Sequence, residues 1–239
     1  MEIGIIGFGS FGRLIAKHLK TRAKIYVSDI INKEKEAKEI GVSFVSVKQA
    51  ASKEIVILSM PMENLQEILI SIKEILQKNA LVLDVCSLKV FSCELMKKIL
   101  PKDVEIIGTH PLFGPQSAPN SIEGSKIAII PIRTSRLDEV KSFCESLGLK
   151  VFITTSKEHD KQMASSQALV HFIGQAMENC GIKRTDLSTR TFDKLMDIAE
   201  IIRNDTPALF NNMQTMNPFA KEVREKFLDE LNKINGLLV

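Results

Sequence analysis

Gly7-Phe8-Gly9-Ser10-Phe11-Gly12 is the first stretch of the chain whose spacing alone suggests chemistry. A glycine at the first position permits a tight turn. At the second it lets the backbone approach a pyrophosphate, and at the third it lets a helix pack close to a strand. The stretch directly follows the apolar run Ile3 to Ile6 and opens a helical periodicity from Ser10 to Lys20. Free N–H groups at that helix N-terminus would face the phosphates. The strand–turn–helix context separates a dinucleotide fingerprint from a chance GxGxxG. Asp29 ends the next strand, about 20 residues on, where a carboxylate accepts from the adenosine ribose hydroxyls and repels a 2′-phosphate. No Arg follows it nearby, and Lys33 is the closest base. The pattern predicts NAD as cofactor, with NADP possible. The competing reading makes Asp29 a cap for the following helix. Ser59 and Pro61, at the end of the strand Ile55 to Ser59, are expected to join the glycine-loop residues and Asp29 at the cofactor.

Three further side chains can carry chemistry. His110 and His171 bear imidazoles, with an ordinary pKa of about 6.5 that suits proton transfer near neutrality. Ser87 carries a hydroxyl within Asp84-Val85-Cys86-Ser87-Leu88-Lys89. Each also has a plain reading: His110, before Pro111, as a turn residue, Ser87 as a helix N-cap, and His171 as a satisfied core histidine. Lys89 reads as an anchor for backbone or cofactor, or as a solvated lysine in a first helical turn.

The elements that position these residues alternate. Strand-type runs occur at Ile3 to Ile6, Lys24 to Ser28, Ser43 to Val45, Ile55 to Ser59, Leu81 to Val85, Val104 to Ile107, Lys126 to Ile130 and Val151 to Thr154. Helical periodicity separates most of them, notably at Met62 to Gln77 and Ser135 to Leu147. Strands alternating with helices predict a parallel, doubly wound sheet. From Ser156 onward no strand pattern occurs, and Thr206-Pro207 and Asn217-Pro218 mark helix boundaries. The expected architecture is α/β, with a Rossmann-type domain over 1–155 and an all-α domain over 156–239 for substrate binding and dimerisation.

Composition excludes several classes. Of 239 residues, 44% are hydrophobic and 26% charged, and the net charge is +3, so a sizeable core forms. Basic residues alternate with acidic ones, as in Lys33-Glu34-Lys35-Glu36, which argues for a solvated helix face and against nucleic-acid binding. Cys86, Cys93, Cys144 and Cys180 have no metal-ligand spacing and read as free thiols in a reducing compartment. No signal peptide or membrane-length apolar run is evident. The expectation is a cytoplasmic protein that binds no metal and touches no membrane.

Asp84-Val85-Cys86-Ser87-Leu88-Lys89 and Thr109-His110-Pro111-Leu112-Phe113-Gly114-Pro115 resemble the two active-site signatures of the prephenate/arogenate dehydrogenases. Glu158-His159-Asp160, followed by Gln167-Ala168-Leu169-Val170-His171, is similar to the start of that family's helical domain, and the wording is closest to the plant and archaeal short form. The resemblance implies oxidative decarboxylation of arogenate or prephenate with a nicotinamide cofactor, in tyrosine biosynthesis. Residues 156–239 are rich in apolar residues yet too few for an independent core beside the sheet, which predicts a homodimer. It implies that His110 accepts the substrate hydroxyl proton, that Ser87 links histidine, hydroxyl and nicotinamide, and that His171 lies on the substrate side of the helical domain. Gln167 and Gln116 are expected at the substrate too. Gln116 stands where bacterial members carry an acid, and the carboxylate-holding arginine has three candidates, Arg190, Lys194 and Arg203. Asp205, in Arg203-Asn204-Asp205-Thr206-Pro207, offers a carboxylate to the ammonium of arogenate, or else caps the helix that follows. Two alternatives stand beside this: a β-hydroxyacid or pyrroline-carboxylate type dehydrogenase, and an NAD-binding sensor without turnover. Neither has need of a Ser87–His110 pair.

Overall fold

A computed structural model describes residues 1–203 and 206–238. It divides into two compact units, Met1–Ser156 and Lys157–Val239.

The first unit is built on one eight-stranded sheet. Its strands are β1 (Glu2–Ile6), β2 (Lys24–Ser28), β3 (Ser43–Phe44), β4 (Ile55–Leu58), β5 (Leu81–Asp84), β6 (Glu105–Pro111), β7 (Lys126–Arg133) and β8 (Lys150–Ile153). Its helices are α1 (Ser10–Leu19), α2 (Glu34–Ile40), α3 (Val47–Ala51), α4 (Leu65–Ile72), α5 (Lys89–Ile99) and α6 (Leu137–Ser146), with a 3-10 turn at Met62–Asn64. The strand order is β3-β2-β1-β4-β5-β6-β7-β8. The central strands are near-continuous apolar runs because helices cover both faces; Ile5, Val27, Val56, Val82 and Ile107 are fully buried.

One pairing departs from the sequence expectation. β6 and β7 run antiparallel, in register from Gly108 opposite Ile130 to Pro111 opposite Ile127. A parallel return needs a crossover of a dozen or more residues, usually helical, and residues 112–125 contain no helix. β6 also continues past Ile107 to Pro111, so His110 sits on a strand, not in a turn.

α1 and α6 cover one sheet face and enclose, with it, an apolar cavity of about 150 Å³ lined by Leu14, Leu83, Ile127, Val140, Phe143 and Cys144 among others. Burial pushes the Cys144 thiol up to about 12, so it is inert at neutral pH.

The second unit is helical among its described residues. α7 (Ser156–Met163) passes through a π-helical segment, Ala164–Ala168, into α8 (Leu169–Asn179). Then come α9 (Arg190–Arg203), α10 (Pro207–Thr215) and α11 (Ala220–Gly236). Its small core joins Ala164, Ala168, Met213 and Ala220. Asn217 locks the α10–α11 turn: its Nδ2 donates to the Asp160 carbonyl at 2.8 Å, and its Oδ1 accepts from Phe219 N–H at 2.9 Å.

Candidate active site

The sheet aligns the ends of four strands. Ile6 pairs with Leu58, Leu58 with Asp84 and Asp84 with Gly108, all in parallel. Gly7, Ser59, Ser87 and His110 therefore all follow this row at the carboxyl edge. The strand order reverses between β1 and β4, and ligands of open α/β sheets bind in the crevice at such a switch point.

The glycine loop fits a dinucleotide pyrophosphate. Gly7 has φ +98°, and a Cβ there would meet the Ser59 carbonyl oxygen at 2.2 Å. A Cβ on Gly12 would lie 2.1 Å from the Gly7 carbonyl oxygen, so only glycine lets α1 sit this close to β1. Gly9, at the N-cap of α1, is the opposite case: a Cβ on it would meet nothing within 4 Å. The open side of Gly9 and the uncapped N-terminus of α1 form the kind of cradle a phosphate takes. Ser10 is exposed, and Phe11 lies 6.2 Å, ring to ring, from Phe113. Phe8 is fully buried in the core, which leaves only its backbone to the loop. Ser59 is half-buried and Pro61 exposed just beyond it.

Asp29 does more than the sequence announces. Its Oδ2 accepts from Phe8 N–H at 2.8 Å and its Oδ1 from Ile31 N–H at 3.0 Å. Lys33 Nζ donates to Asp29 Oδ2 at 2.9 Å and to the Phe8 carbonyl at 3.1 Å. Burial works against the Asp29 charge, but the bonds from Lys33, Ile31 and Phe8 outweigh it and hold the carboxyl below its usual range. Asp29 does not cap α2, whose N-cap is Lys33. It ties the glycine loop to the end of β2.

Around the second motif, Lys89 is the residue the sequence left undecided. Its side chain is 0% exposed, as is that of Asp84, and Nζ reaches Asp84 Oδ2 at 2.5 Å. The same Nζ donates to the Thr109 carbonyl at 2.6 Å, and Thr109 Oγ1 donates to the Asp84 carbonyl at 2.5 Å. Burial works to lower the Lys89 pKa, but the neighbouring Asp84 carboxylate outweighs it and the pKa is raised. Asp84 Oδ2 also accepts from Cys86 N–H at 3.3 Å, and burial pushes the Cys86 thiol far up. Ser87 is half-buried and stands one residue before Leu88, the N-cap position of α5. His110 is 5% exposed. Gln116 is exposed in the loop that follows.

In the second unit, Gln167 and His171 stand four residues apart and are both half-buried. Gln167 lies in the π-helical segment, a distortion frequent at functional sites; its Oε1 is buried and has no hydrogen-bond partner among the described residues. Of the three basic candidates, Arg203 pairs with Glu178 at 2.7 Å, while Arg190 and Lys194 are exposed on α9. Sequence reasoning missed Arg224, half-buried on α11, bound to the Gln214 carbonyl at 2.7 Å and 6.0 Å from the Phe172 ring. No sequence signal links positions 172 and 224. Asp205 lies outside the described residues. The N-cap of α10 is Thr206, whose Oγ1 accepts from Leu209 N–H at 3.2 Å.

The sheet order and the glycine cradle define the class: a Rossmann-type nucleotide-binding unit followed by a helical one. Residues 15–153 match the family described as "Prephenate dehydrogenase, nucleotide-binding domain", and residues 176–239 match "TYRAAT1-like, C-terminal domain". The first match covers more than half of the chain and starts after the glycine loop, which is therefore a separate observation. The chain belongs to the prephenate dehydrogenase family. It is 29% identical over 239 residues to arogenate dehydrogenase 1, chloroplastic, of Arabidopsis thaliana, covering 95% of this chain and 37% of that protein. To the probable arogenate/prephenate dehydrogenase of Methanocaldococcus jannaschii it is 26% identical, covering 100% and 57%. The crystal structure of prephenate dehydrogenase from A. aeolicus, in complex with hydroxyphenyl propionate and NAD+, superposes with a TM-score of 0.83 at 25% identity, covering 100% of this chain and 90% of that one. The chain spans between 37% and 66% of the length of the first curated relatives it matches. Among the described residues no helix is long and apolar enough to cross a membrane.

Proposed function

We propose that this chain catalyses the oxidative decarboxylation of arogenate or prephenate with NAD, within tyrosine biosynthesis. One observation carries the reading: Ser87, just after β5, and His110, near the end of the adjacent β6, lie at the sheet edge that also carries the glycine cradle. An NAD-binding sensor without turnover has no use for that pair, and the two other dehydrogenase types use different catalytic groups.

Bound nicotinamide supplies the hydride acceptor. The residues of this chain handle the proton and the geometry. His110, as neutral imidazole, accepts the proton of the substrate hydroxyl as that carbon becomes a carbonyl. Loss of carbon dioxide returns an electron pair to the ring and leaves a phenolate, which regains the proton. Ser87 orients the hydroxyl towards His110. Asp29 and Lys33 hold the loop at the adenosine ribose, and Ser59 and Pro61 border the cofactor. Gln116, Gln167 and His171 contact substrate. We assign Asp205 to the ammonium of arogenate; the capping role that competes with this assignment is filled at α10 by Thr206.

The test is the appearance of reduced cofactor with arogenate and prephenate in turn, each with NAD and NADP. NADH is expected, with arogenate the better substrate; no reduction with either substrate would end the proposal. In the same assay Asp29→Ser is expected to move the NAD-to-NADP preference towards NADP by about tenfold, roughly 1.4 kcal/mol. The substitution removes the repulsion of a 2′-phosphate and releases Lys33 to meet it. An unmoved ratio would show that Asp29 serves only to brace Phe8.

The chain also acts as a homodimer in this reading, through the second unit. Leu195 and Ile198 on α9, and Leu228, Leu231 and Ile234 on α11, are exposed. An apolar surface of this kind is buried most commonly by a two-fold dimer. Light scattering is expected to give twice the chain mass; a monomer at micromolar concentration would refute it. Buried free thiols at Cys86, Cys93 and Cys144 fit a reducing compartment such as the cytoplasm.

A further inference from the structure

We infer that the buried Lys89–Asp84 pair is a positioning device that holds the catalytic Ser87 and His110 in mutual geometry; the inference rests on the roles given to those two residues above. A buried ion pair is weak evidence of stability, because desolvating both charges offsets their attraction. A fully buried lysine in this place therefore calls for another reason, and its hydrogen bonds give one.

Lys89 Nζ reaches two elements at once. On β5 it meets Asp84 Oδ2 at 2.5 Å, and on β6 it meets the Thr109 carbonyl at 2.6 Å. That carbonyl belongs to the peptide bond leading into His110. Asp84 Oδ2 in turn accepts from Cys86 N–H at 3.3 Å, the peptide one residue before Ser87. A second tie runs the other way, from Thr109 Oγ1 to the Asp84 carbonyl at 2.5 Å. The backbone before the serine and the backbone before the histidine are thus bonded to one ammonium–carboxylate centre. Neither residue of the pair is exposed, so neither touches substrate or cofactor. They act through their neighbours, as a support of this kind must if a catalytic pair is to stay within a fraction of an ångström. An ammonium suits this place because its three donors can serve Asp84 and Thr109 together.

The test compares wild type with Lys89→Met and with Asp84→Asn/Lys89→Met, in which both charges are removed as a pair and the side-chain volumes are kept. Lys89→Met alone leaves a buried unpaired carboxylate and is expected to lose fold; the double variant is expected to keep it, with NAD affinity within about threefold of wild type. In the double variant kcat is expected to fall about tenfold or more while both KM values stay near wild type, because misplacement by an ångström affects the transition state first. A second readout needs no turnover. The His110 ring resonance, identified among the four histidines by its loss in His110→Gln, is expected to move in the double variant while that of His18 does not. Wild-type kcat with an unmoved His110 resonance would overturn the inference. So would a double variant that fails to fold, since the pair would then serve the sheet and not the site. If the wild type reduces NAD with neither arogenate nor prephenate, the reaction assignment fails by itself, and a shifted His110 resonance still supports the positioning role.

Discussion

His110→Gln is expected to lower kcat by about 100-fold or more while NAD binds with wild-type affinity. The imidazole is 5% exposed, at the next-to-last position of β6, with its backbone opposite Ala128 in the ladder. Glutamine keeps the length and polarity of the side chain and changes nothing in that ladder, so the fold has no reason to fail. What it loses is a group that can take a proton near neutral pH. A general base works only in its unprotonated form, so the wild-type rate is expected to show an acid limb. The variant's residual rate is expected to lack that limb. Steady-state kinetics across pH, with NAD binding followed by fluorescence, checks both. Turnover at the wild-type rate would remove His110 from the chemistry and leave Ser87 without a partner.

The cofactor edge was legible in the sequence because its requirements are local. The turn at Gly7 and the close packing of Gly12 each depend on a missing Cβ and on a neighbour within a few residues of β1 or β4, and Gly9 faces open space. The run Lys24 to Ser28 forms the strand that it spells, with Ile25 and Val27 buried along it. What escaped depends on distant pairing. The antiparallel β6–β7 pair is decided by the helix-free connection 112–125, and no period in β7 itself announces a direction. Lys89 reads as a first-turn lysine because its partners, Asp84 and the Thr109 carbonyl, lie on two strands that only the folded sheet brings together. Lys33 is four residues from Asp29, close enough to see, but its second bond, to the Phe8 carbonyl, spans 25 residues. Ser87 and Leu88 show the limit of single-residue logic: the hydroxyl residue is the better cap by type, yet the helix starts one residue later, with leucine at its N-cap position and no cap bond from that side chain.

The two glycines with opposite surroundings give the sharpest test of the cradle. Gly9→Ala is expected to leave the free protein close to wild-type stability, because its Cβ enters open space and its φ of −73° suits alanine. Alanine at an N-cap costs only about 1 kcal/mol. NAD affinity, however, is expected to fall about 100-fold, roughly 2.7 kcal/mol, since that same space is where the pyrophosphate must approach the backbone. Gly12→Ala should lose both. Its Cβ would sit 2.1 Å from the Gly7 carbonyl oxygen, a backbone atom that cannot swing aside. α1 must then shift off β1, at an overpacking cost of about 1–3 kcal/mol, and the shift drags the helix N-terminus away from the phosphates. Thermal unfolding of the apo forms and calorimetric titration with NAD separate the two outcomes. If Gly9→Ala binds NAD like the wild type, the pyrophosphate does not lie over Gly9. The uncapped end of α1 is then not the phosphate site, whatever Gly7 and Gly12 contribute to packing.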